Sequence, residues 1–224
     1  MSVFVLVPGA GGAAWYWHRV VSELRDRGHE AVAVDLPGAD ESAGLPEYAD
    51  AVTEAIGGRQ DVVLVAQSMG GFTAPVVCSR VPVRLLVLVN AMIPLPGETP
   101  GAWWDNTGWE PARLAAARAG GYPAEFDLAT YFLHDVPAEV VATGEGHNFP
   151  EADVAFGQPC AIERWPDVAT RVLAGRDDRF FPLEFQRRIA GERLGTEVDS
   201  VPGGHLVALS RPAELTDQLT RYLC

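Results

Sequence analysis

The sequence has few cysteines, few basic residues and no long apolar run. Its three cysteines, Cys78, Cys160 and Cys224, are an odd number without metal-ligand spacing, which indicates reduced thiols and no metal site. Only 17 basic residues stand against 30 acidic ones, and the formal net charge of −13 disfavours nucleic acid as a partner. No run approaches the roughly 18 apolar residues of a membrane span, and no basic residue precedes the first apolar run. We therefore expect no membrane partner and a cytoplasmic protein.

Short apolar runs alternate with longer amphipathic stretches along most of the chain. This alternation predicts an α/β fold in a single domain, residues 1–224, with a mostly parallel sheet of about six strands flanked by helices. Residues 92–166 break the alternation and hold nine of the 17 prolines. We interpret them as a small helical cap over the carboxyl ends of the strands. The predicted strands are 3–7, 31–35, 62–66, 85–90, 171–174 and 197–201, and the predicted helices are about 15–27, 47–57, 69–80, 183–193 and 212–222.

One segment joins an apolar strand to a serine between small residues. Val62–Ala66 is the strand, and Ser68 follows it at the start of a predicted helix, with Ala66 and Gly70 two positions to either side. Such a sharp strand-to-helix turn exposes a serine Oγ at a helix amino end, where main-chain amides stabilise negative charge. The motif, G-x-S-x-G with alanine at its first glycine, predicts Ser68 as nucleophile and the Met69 amide as an oxyanion donor. The structural alternative is an N-cap serine after a buried strand.

Candidate partners for Ser68 lie in two loops that follow predicted strands. His205 follows the last strand in a glycine-rich loop, from which its imidazole can reach a serine as general base. Asp177 and Asp178 follow the fifth strand. By residue type alone, either can be the acid that orients the imidazole, or a turn-forming aspartate.

The glycine-rich segment Gly9–Ala14, after the first strand, has two functional interpretations. It can be an oxyanion loop, with the amide of Ala10 as the second donor. It also matches the dinucleotide fingerprint G-x-G-x-x-A, with Asp35 at the end of the next strand as the ribose-binding acid, which predicts an NAD(P)-dependent reductase. The bulky segment 15–17 crowds the place where a pyrophosphate would bind, and a reductase would leave the serine, aspartate and histidine loops unexplained. Both points favour the oxyanion loop.

These motifs resemble the α/β-hydrolase superfamily, and within it the branch of small-molecule methyl esterases and hydroxynitrile lyases. Pro8–Trp15 is similar to that branch's His-Gly-Ala-x-x-Gly-Ala-Trp opening, with proline in place of histidine, and the elbow is similar to its Gly-His-Ser-x-Gly-Gly. The order Ser, Asp, His along the chain also fits. The superfamily's acid lies three residues after a glycine, which selects Asp178 after Gly175. Hydroxynitrile lyases of this branch carry threonine and lysine where this chain has Ala10 and Leu206, and the difference favours an esterase.

The motifs and the resemblance imply a serine hydrolase without cofactor or metal that cleaves a small carboxylic ester, thioester or lactone through an acyl-enzyme. The aromatic residues of the cap favour a hydrophobic substrate. The expected partner is a small-molecule substrate, and a homodimer is left open. A non-hydrolytic lyase or cyclase, or a ligand-binding protein on the same scaffold, stays an alternative. The expected substrate contacts in the cap are Trp103, Trp104 and Phe132.

Overall fold

A six-stranded parallel sheet forms the centre of the computed structural model, which describes residues 1–144, 146–147 and 150–223. The strands are β1 (Val3–Val7), β2 (Glu30–Ala33), β3 (Val62–Gln67), β4 (Leu85–Val89), β5 (Ala169–Gly175) and β6 (Val198–Val201). Their order is β2-β1-β3-β4-β5-β6, and every neighbouring pair is parallel. All residues of β1, β3 and β4 are buried, as expected for parallel strands covered on both faces. The predicted sheet is confirmed.

Helices cover both faces of this sheet. They are α1 (His18–Asp26), α2 (Leu45–Ile56), α3 (Gly70–Arg80), α4 (Pro100–Thr107), α5 (Trp109–Gly120), α6 (Leu128–Tyr131), α7 (Ala138–Thr143), α8 (Asp153–Gly157), α9 (Leu183–Leu194), α10 (Val207–Ser210) and α11 (Pro212–Arg221), with a 3₁₀ helix over Ala14–Trp17. The apolar sides of α2, α3 and α9 pack on one face, and those of α1, α10 and α11 pack on the other. Alternate residues of the strands face the two layers, so each layer has its own core.

The second strand is shorter than its predicted span. β2 ends at Ala33, two residues before the predicted end at Asp35. The Asp35 side chain instead accepts the N–H of Ala14 at 2.7 Å, and the N–H of Leu36 donates to the carbonyl of Gly12 at 2.8 Å. The chain therefore leaves the sheet in order to bind the glycine-rich loop after β1. The other predicted strands and helices lie within two residues of the observed bounds when the 3₁₀ helix over Ala14–Trp17 is counted with α1.

The long segment between β4 and β5 contains α4 to α8. A buried ion pair ties this segment to the sheet domain, because Glu98 binds Arg193 of α9. Burial alone would raise the pKa of Glu98, but hydrogen bonds from Arg193 and Asn106 hold it below its usual value. The ion pair thus anchors the start of the segment that the sequence predicts to be a cap.

The two cysteines within the described residues are free thiols. Cys78 lies in α3, and Cys160 is buried between α8 and β5. Burial raises the pKa of each thiol to about 12, so both stay protonated at neutral pH. Cys224 lies outside the described residues. Across those residues, no helix is both long enough and apolar enough to cross a membrane.

Candidate active site

A sharp turn joins β3 to α3. Ser68 occupies this turn with a φ of +50°, a left-handed conformation that is costly for a residue with a side chain. Glycines are required on the helix side, because a Cβ on Gly70 would lie 2.6 Å from the carbonyl oxygen of Pro8. A Cβ on Gly71 would lie 1.8 Å from the carbonyl oxygen of Met92. The small residues of the motif therefore let the helix approach the ends of the neighbouring strands, and the serine lies at the carboxyl edge of the sheet.

The predicted serine, histidine and aspartate lie in one chain of hydrogen bonds. The Nε2 atom of His205 is 3.2 Å from Ser68 Oγ, and its Nδ1 atom is 2.8 Å from Asp178 Oδ2. The other oxygen, Asp178 Oδ1, accepts the N–H groups of Phe180 and Phe181 at 2.8 Å each. These two amides fix the carboxylate and leave Oδ2 for the imidazole. A hydroxyl, an imidazole and a carboxylate in this order can move a proton from the serine.

The two adjacent aspartates of the acid loop have different partners. Asp178 is buried against His205, as the resemblance to the superfamily's acid loop implies. Asp177 is exposed, and its Oδ2 accepts the N–H of Gly203 at 3.1 Å. Asp177 therefore binds the backbone of the loop that contains His205 rather than its imidazole.

Two buried polar residues that sequence reasoning misses hold these loops together. Asn90 directly follows β4, and its Nδ2 donates to the carbonyl of His205 at 3.1 Å while its Oδ1 accepts the N–H of Gly175 at 2.7 Å. Gln186 of α9 donates from Nε2 to the carbonyl of Phe181 at 2.7 Å. The available signal for Asn90 is its place at a strand's carboxyl end, where the apolar run of β4 stops. Gln186 has no such signal.

The glycine-rich loop forms a tight turn beside Ser68, the Gly9–Gly12 turn. The N–H of Gly12 donates to the carbonyl of Gly9 at 3.2 Å, and Gly11 has a φ of +85°. A Cβ on Gly9 would lie 2.8 Å from the Cβ of Ser68. Only glycine therefore allows the turn to approach the serine this closely.

Two main-chain amides next to the serine can receive a negatively charged oxygen. They are the amides of Ala10, in the Gly9–Gly12 turn, and Met69, which precedes α3. Within the part of the chain that the structure describes, neither donates to another protein group. Both are thus available to a bound ligand, which is the arrangement that an oxyanion hole requires.

The residues proposed for a dinucleotide are engaged in other contacts. Asp35, the expected ribose-binding acid, binds the amide of Ala14. The first glycine of the fingerprint, Gly9, brings the loop against Ser68 rather than opening a phosphate site. Among residues 1–144, 146–147 and 150–223, no group of three or more His, Cys, Asp or Glu side chains is placed to hold a metal ion. The contacts of Asp35 and Gly9 favour the oxyanion interpretation of the loop.

Three phenylalanines surround the imidazole of His205. The ring centres of Phe132, Phe180 and Phe181 lie 4.8, 5.0 and 5.0 Å from it, each at a steep angle. His205 is fully buried. Because these rings hold the imidazole out of bulk water, its hydrogen bonds act in a medium of low dielectric constant, where they are stronger.

A cavity of about 580 Å³ opens above Ser68 and His205. Its lining is mostly apolar and comes from the loop after β1, the segment between β4 and β5, and the acid and histidine loops. Side chains from these four places include Trp15, Trp104, Phe132, Val136, Phe180 and Leu206. A cavity of this size suits a small organic molecule.

The structure brings two of the three predicted substrate contacts to this cavity. Trp104 and Phe132 line it. Trp103 does not, because its side chain is fully buried in the core and its indole N–H donates to the carbonyl of Ile93 at 3.1 Å. Trp103 packs edge-on against Trp104, so it supports a lining residue from behind. The expectation for Trp103 is corrected accordingly.

Comparison with known proteins decides the family. Residues 4–218 match the model of the alpha/beta hydrolase family. The chain belongs to this family. The hydrolase is 36% identical to Methylesterase 7 of Arabidopsis thaliana over 249 residues, which cover 95% of the chain and 92% of the relative. It is 29% identical to Probable esterase PIR7A of Oryza sativa subsp. indica over 252 residues, covering 97% of the chain and 95% of the relative.

A solved structure shows the same fold. The crystal structure of polyneuridine aldehyde esterase superimposes with a TM-score of 0.81 and 21% identity, covering 100% of both chains. The family match and the methylesterase relative confirm the expected superfamily and its methyl esterase-like branch. The curated relatives are named esterase and methylesterase, which supports the predicted ester hydrolysis.

Proposed function

We propose that this alpha/beta hydrolase is a serine esterase that cleaves small, uncharged, hydrophobic carboxylic esters through an acyl-enzyme. The main support is the hydrogen-bonded chain from Ser68 Oγ through His205 to Asp178, with distances of 3.2 and 2.8 Å, at one wall of an apolar cavity. The esterase and methylesterase relatives support the same reaction.

In this mechanism one imidazole serves both halves of the reaction. His205 Nε2 takes the proton of Ser68 while Oγ attacks the ester carbonyl, and Asp178 stabilises the imidazolium that forms. The amides of Ala10 and Met69 hold the oxygen that becomes negative. His205 then protonates the leaving alcohol, and the ester bond to it breaks. Water, deprotonated by the same imidazole, attacks the acyl-enzyme. The bond between the acyl carbon and Ser68 Oγ then breaks, Oγ takes the proton back from His205, and the acid leaves.

The cavity lining favours uncharged substrates. No Asp, Glu, Lys or Arg belongs to the part of the lining that the structure describes. Tyr16 also lines the cavity, and burial raises its pKa, so its hydroxyl stays neutral. Against these described residues, a charged acyl group would lose water without gaining an oppositely charged Asp, Glu, Lys or Arg side chain, which is unfavourable. Leu206 lines the cavity where the lyases of the resemblance carry lysine, and this favours hydrolysis over cyanohydrin cleavage.

Two matched esters test the substrate class. In p-nitrophenyl pentanoate the acyl chain ends in a methyl group, and in the p-nitrophenyl monoester of glutarate a carboxylate replaces that methyl group. We expect kcat/KM to be higher for the pentanoate by on the order of 100-fold, because the described lining offers the carboxylate no Lys or Arg side chain. Equal values would contradict an uncharged pocket. Failure of the folded protein to hydrolyse any neutral ester would contradict the esterase itself.

A further inference from the structure

Glu151 is a half-buried carboxylate that binds the Gly9–Gly12 turn from outside the cavity. Its Oε2 accepts the N–H of Gly11 at 2.6 Å, and its Oε1 accepts the hydroxyl of Tyr48 in α2 at 2.5 Å. Burial raises the pKa of Glu151, while these two hydrogen bonds lower it. The bonds therefore offset part of the free energy that is lost when the carboxylate leaves water.

The hydrogen bond from Gly11 to Glu151 restrains the peptide of the turn that could otherwise flip. Ala10 and Gly11 are the corner residues, and the φ of +85° at Gly11 is that of a type II turn. Type I and type II turns differ by a flip of the peptide between the corners, which changes ψ of the first corner by about 150°. Here that peptide joins Ala10 to Gly11, and its N–H is the group that Glu151 accepts. Glu151 thus selects one of two turn conformations.

Among the described residues, no other hydrogen bond involves the peptide between Ala10 and Gly11. The carbonyl of Gly12 accepts the N–H of Leu36 at 2.8 Å, which holds the end of the turn but leaves the corner peptide free. Glu151 is itself well held, because the N–H of the next residue, Ala152, donates to the carbonyl of Gly38 at 2.7 Å. The Glu151 carboxylate therefore restrains this corner peptide by a hydrogen bond from a backbone that is itself tied to Gly38.

We propose that Glu151 is a positioning residue for ester hydrolysis: by holding the peptide that follows Ala10, it keeps the Gly9–Gly12 turn beside Ser68 and the Ala10 amide within reach of the developing oxyanion. The proposal rests on the proposed function, since it needs Ala10 as an oxyanion donor. Glu151 belongs to the segment between β4 and β5, which also lines the cavity. The carboxylate therefore connects the substrate-binding segment to the loop that stabilises charge.

Two substitutions at Glu151 test this role. Glu151→Ala removes both acceptors, and we expect kcat for p-nitrophenyl pentanoate to fall about 10- to 100-fold, less than loss of an oxyanion donor, with KM changed by less than about threefold. Glu151→Gln is expected to keep kcat within about threefold, because its amide oxygen can accept from Gly11 while its amide nitrogen donates to the Tyr48 hydroxyl. The affinity of a trifluoromethyl ketone, which forms an oxyanion on the serine, should fall with kcat in the alanine variant.

Gln158→Ala is the matched control. Gln158 lies just after α8, and its Oε1 accepts the N–H of Leu45 at 2.7 Å, so it ties the same segment to α2 without touching the turn. We expect its kcat and ketone affinity to match those of the unmodified protein. An equal loss in Gln158→Ala, or no loss in Glu151→Ala, would overturn the positioning role.

Two further measurements keep the test decisive. If Glu151→Ala does not fold, Glu151→Met replaces it in the test, because methionine keeps the length of the side chain without a carboxylate. Loss of folding in both variants would contradict the proposal.

Fluorophosphonate labelling of the unmodified protein separates failure of the positioning role from failure of the proposed esterase function. A labelled, active parent with a normal Glu151→Ala variant overturns only the positioning role, whereas an unlabelled, inactive parent overturns the esterase.

Discussion

Ser68→Ala is expected to lower kcat for p-nitrophenyl pentanoate by about 10⁵- to 10⁶-fold, the loss typical of removing a serine nucleophile. The alanine leaves the turn, the free amides and the cavity in place but removes the atom that forms the acyl-enzyme. KM and the melting temperature should change little. Among the described residues, Ser68 Oγ forms a hydrogen bond with His205 only, so little other than this bond is lost. Steady-state rates at high enzyme concentration measure the effect.

Ser79→Ala is the control for this substitution. Ser79 lies near the end of the same helix, α3, and its hydroxyl donates to the carbonyl of Val76 at 2.6 Å on the exposed side of the protein. We expect full activity from it. If Ser68→Ala kept more than about a tenth of the parent kcat, the loss would be too small for a nucleophile, and the acyl-enzyme mechanism would be wrong.

Asp178→Asn is expected to lower kcat by about 10⁴-fold at neutral pH. The amides of Phe180 and Phe181 donate to Oδ1, so the oxygen of an introduced asparagine must face them and its NH₂ group must face His205. The imidazole then has to accept at Nδ1 and carry its proton on Nε2. In that tautomer it cannot take the proton of Ser68. The pH profile of kcat for this variant should show that its kcat stays far below that of the parent throughout the neutral pH range.

Asp177→Asn separates this effect from a general disturbance of the acid loop. An asparagine there still has an oxygen to accept the N–H of Gly203, so we expect kcat within about threefold of the parent. A loss in Asp177→Asn as large as that in Asp178→Asn would mean that the loop, rather than the carboxylate at the imidazole, determines the rate.

The residues that act through local backbone geometry could be predicted from the sequence. Ser68 could be found because a strand that turns into a helix within one residue needs small neighbours, and those neighbours are visible in the sequence. The motif predicts a close approach at Gly70, and the structure shows which groups make it necessary, the carbonyls of Pro8 at Gly70 and of Met92 at Gly71. The choice of Asp178 over Asp177 came from the resemblance, since both aspartates suit the loop equally.

The residues that act through distant contacts could not be predicted. Asn90 and His205 are 115 positions apart, and Gly11 and Glu151 are 140 positions apart. No local pattern marks a single buried amide or carboxylate as the partner of a remote backbone group. The same limit explains Trp103, because two adjacent tryptophans at the start of a helix point in different directions and only the packed fold shows which one faces the cavity.

The site of covalent modification by a fluorophosphonate tests the central claim most directly. Intact mass and peptide mapping should show one phosphonyl group for each chain, on Ser68, with hydrolysis of p-nitrophenyl pentanoate lost in proportion to its formation. Hydrolysis that continues unchanged after Ser68 is fully modified, or activity lost through an adduct on a different residue, would contradict the account.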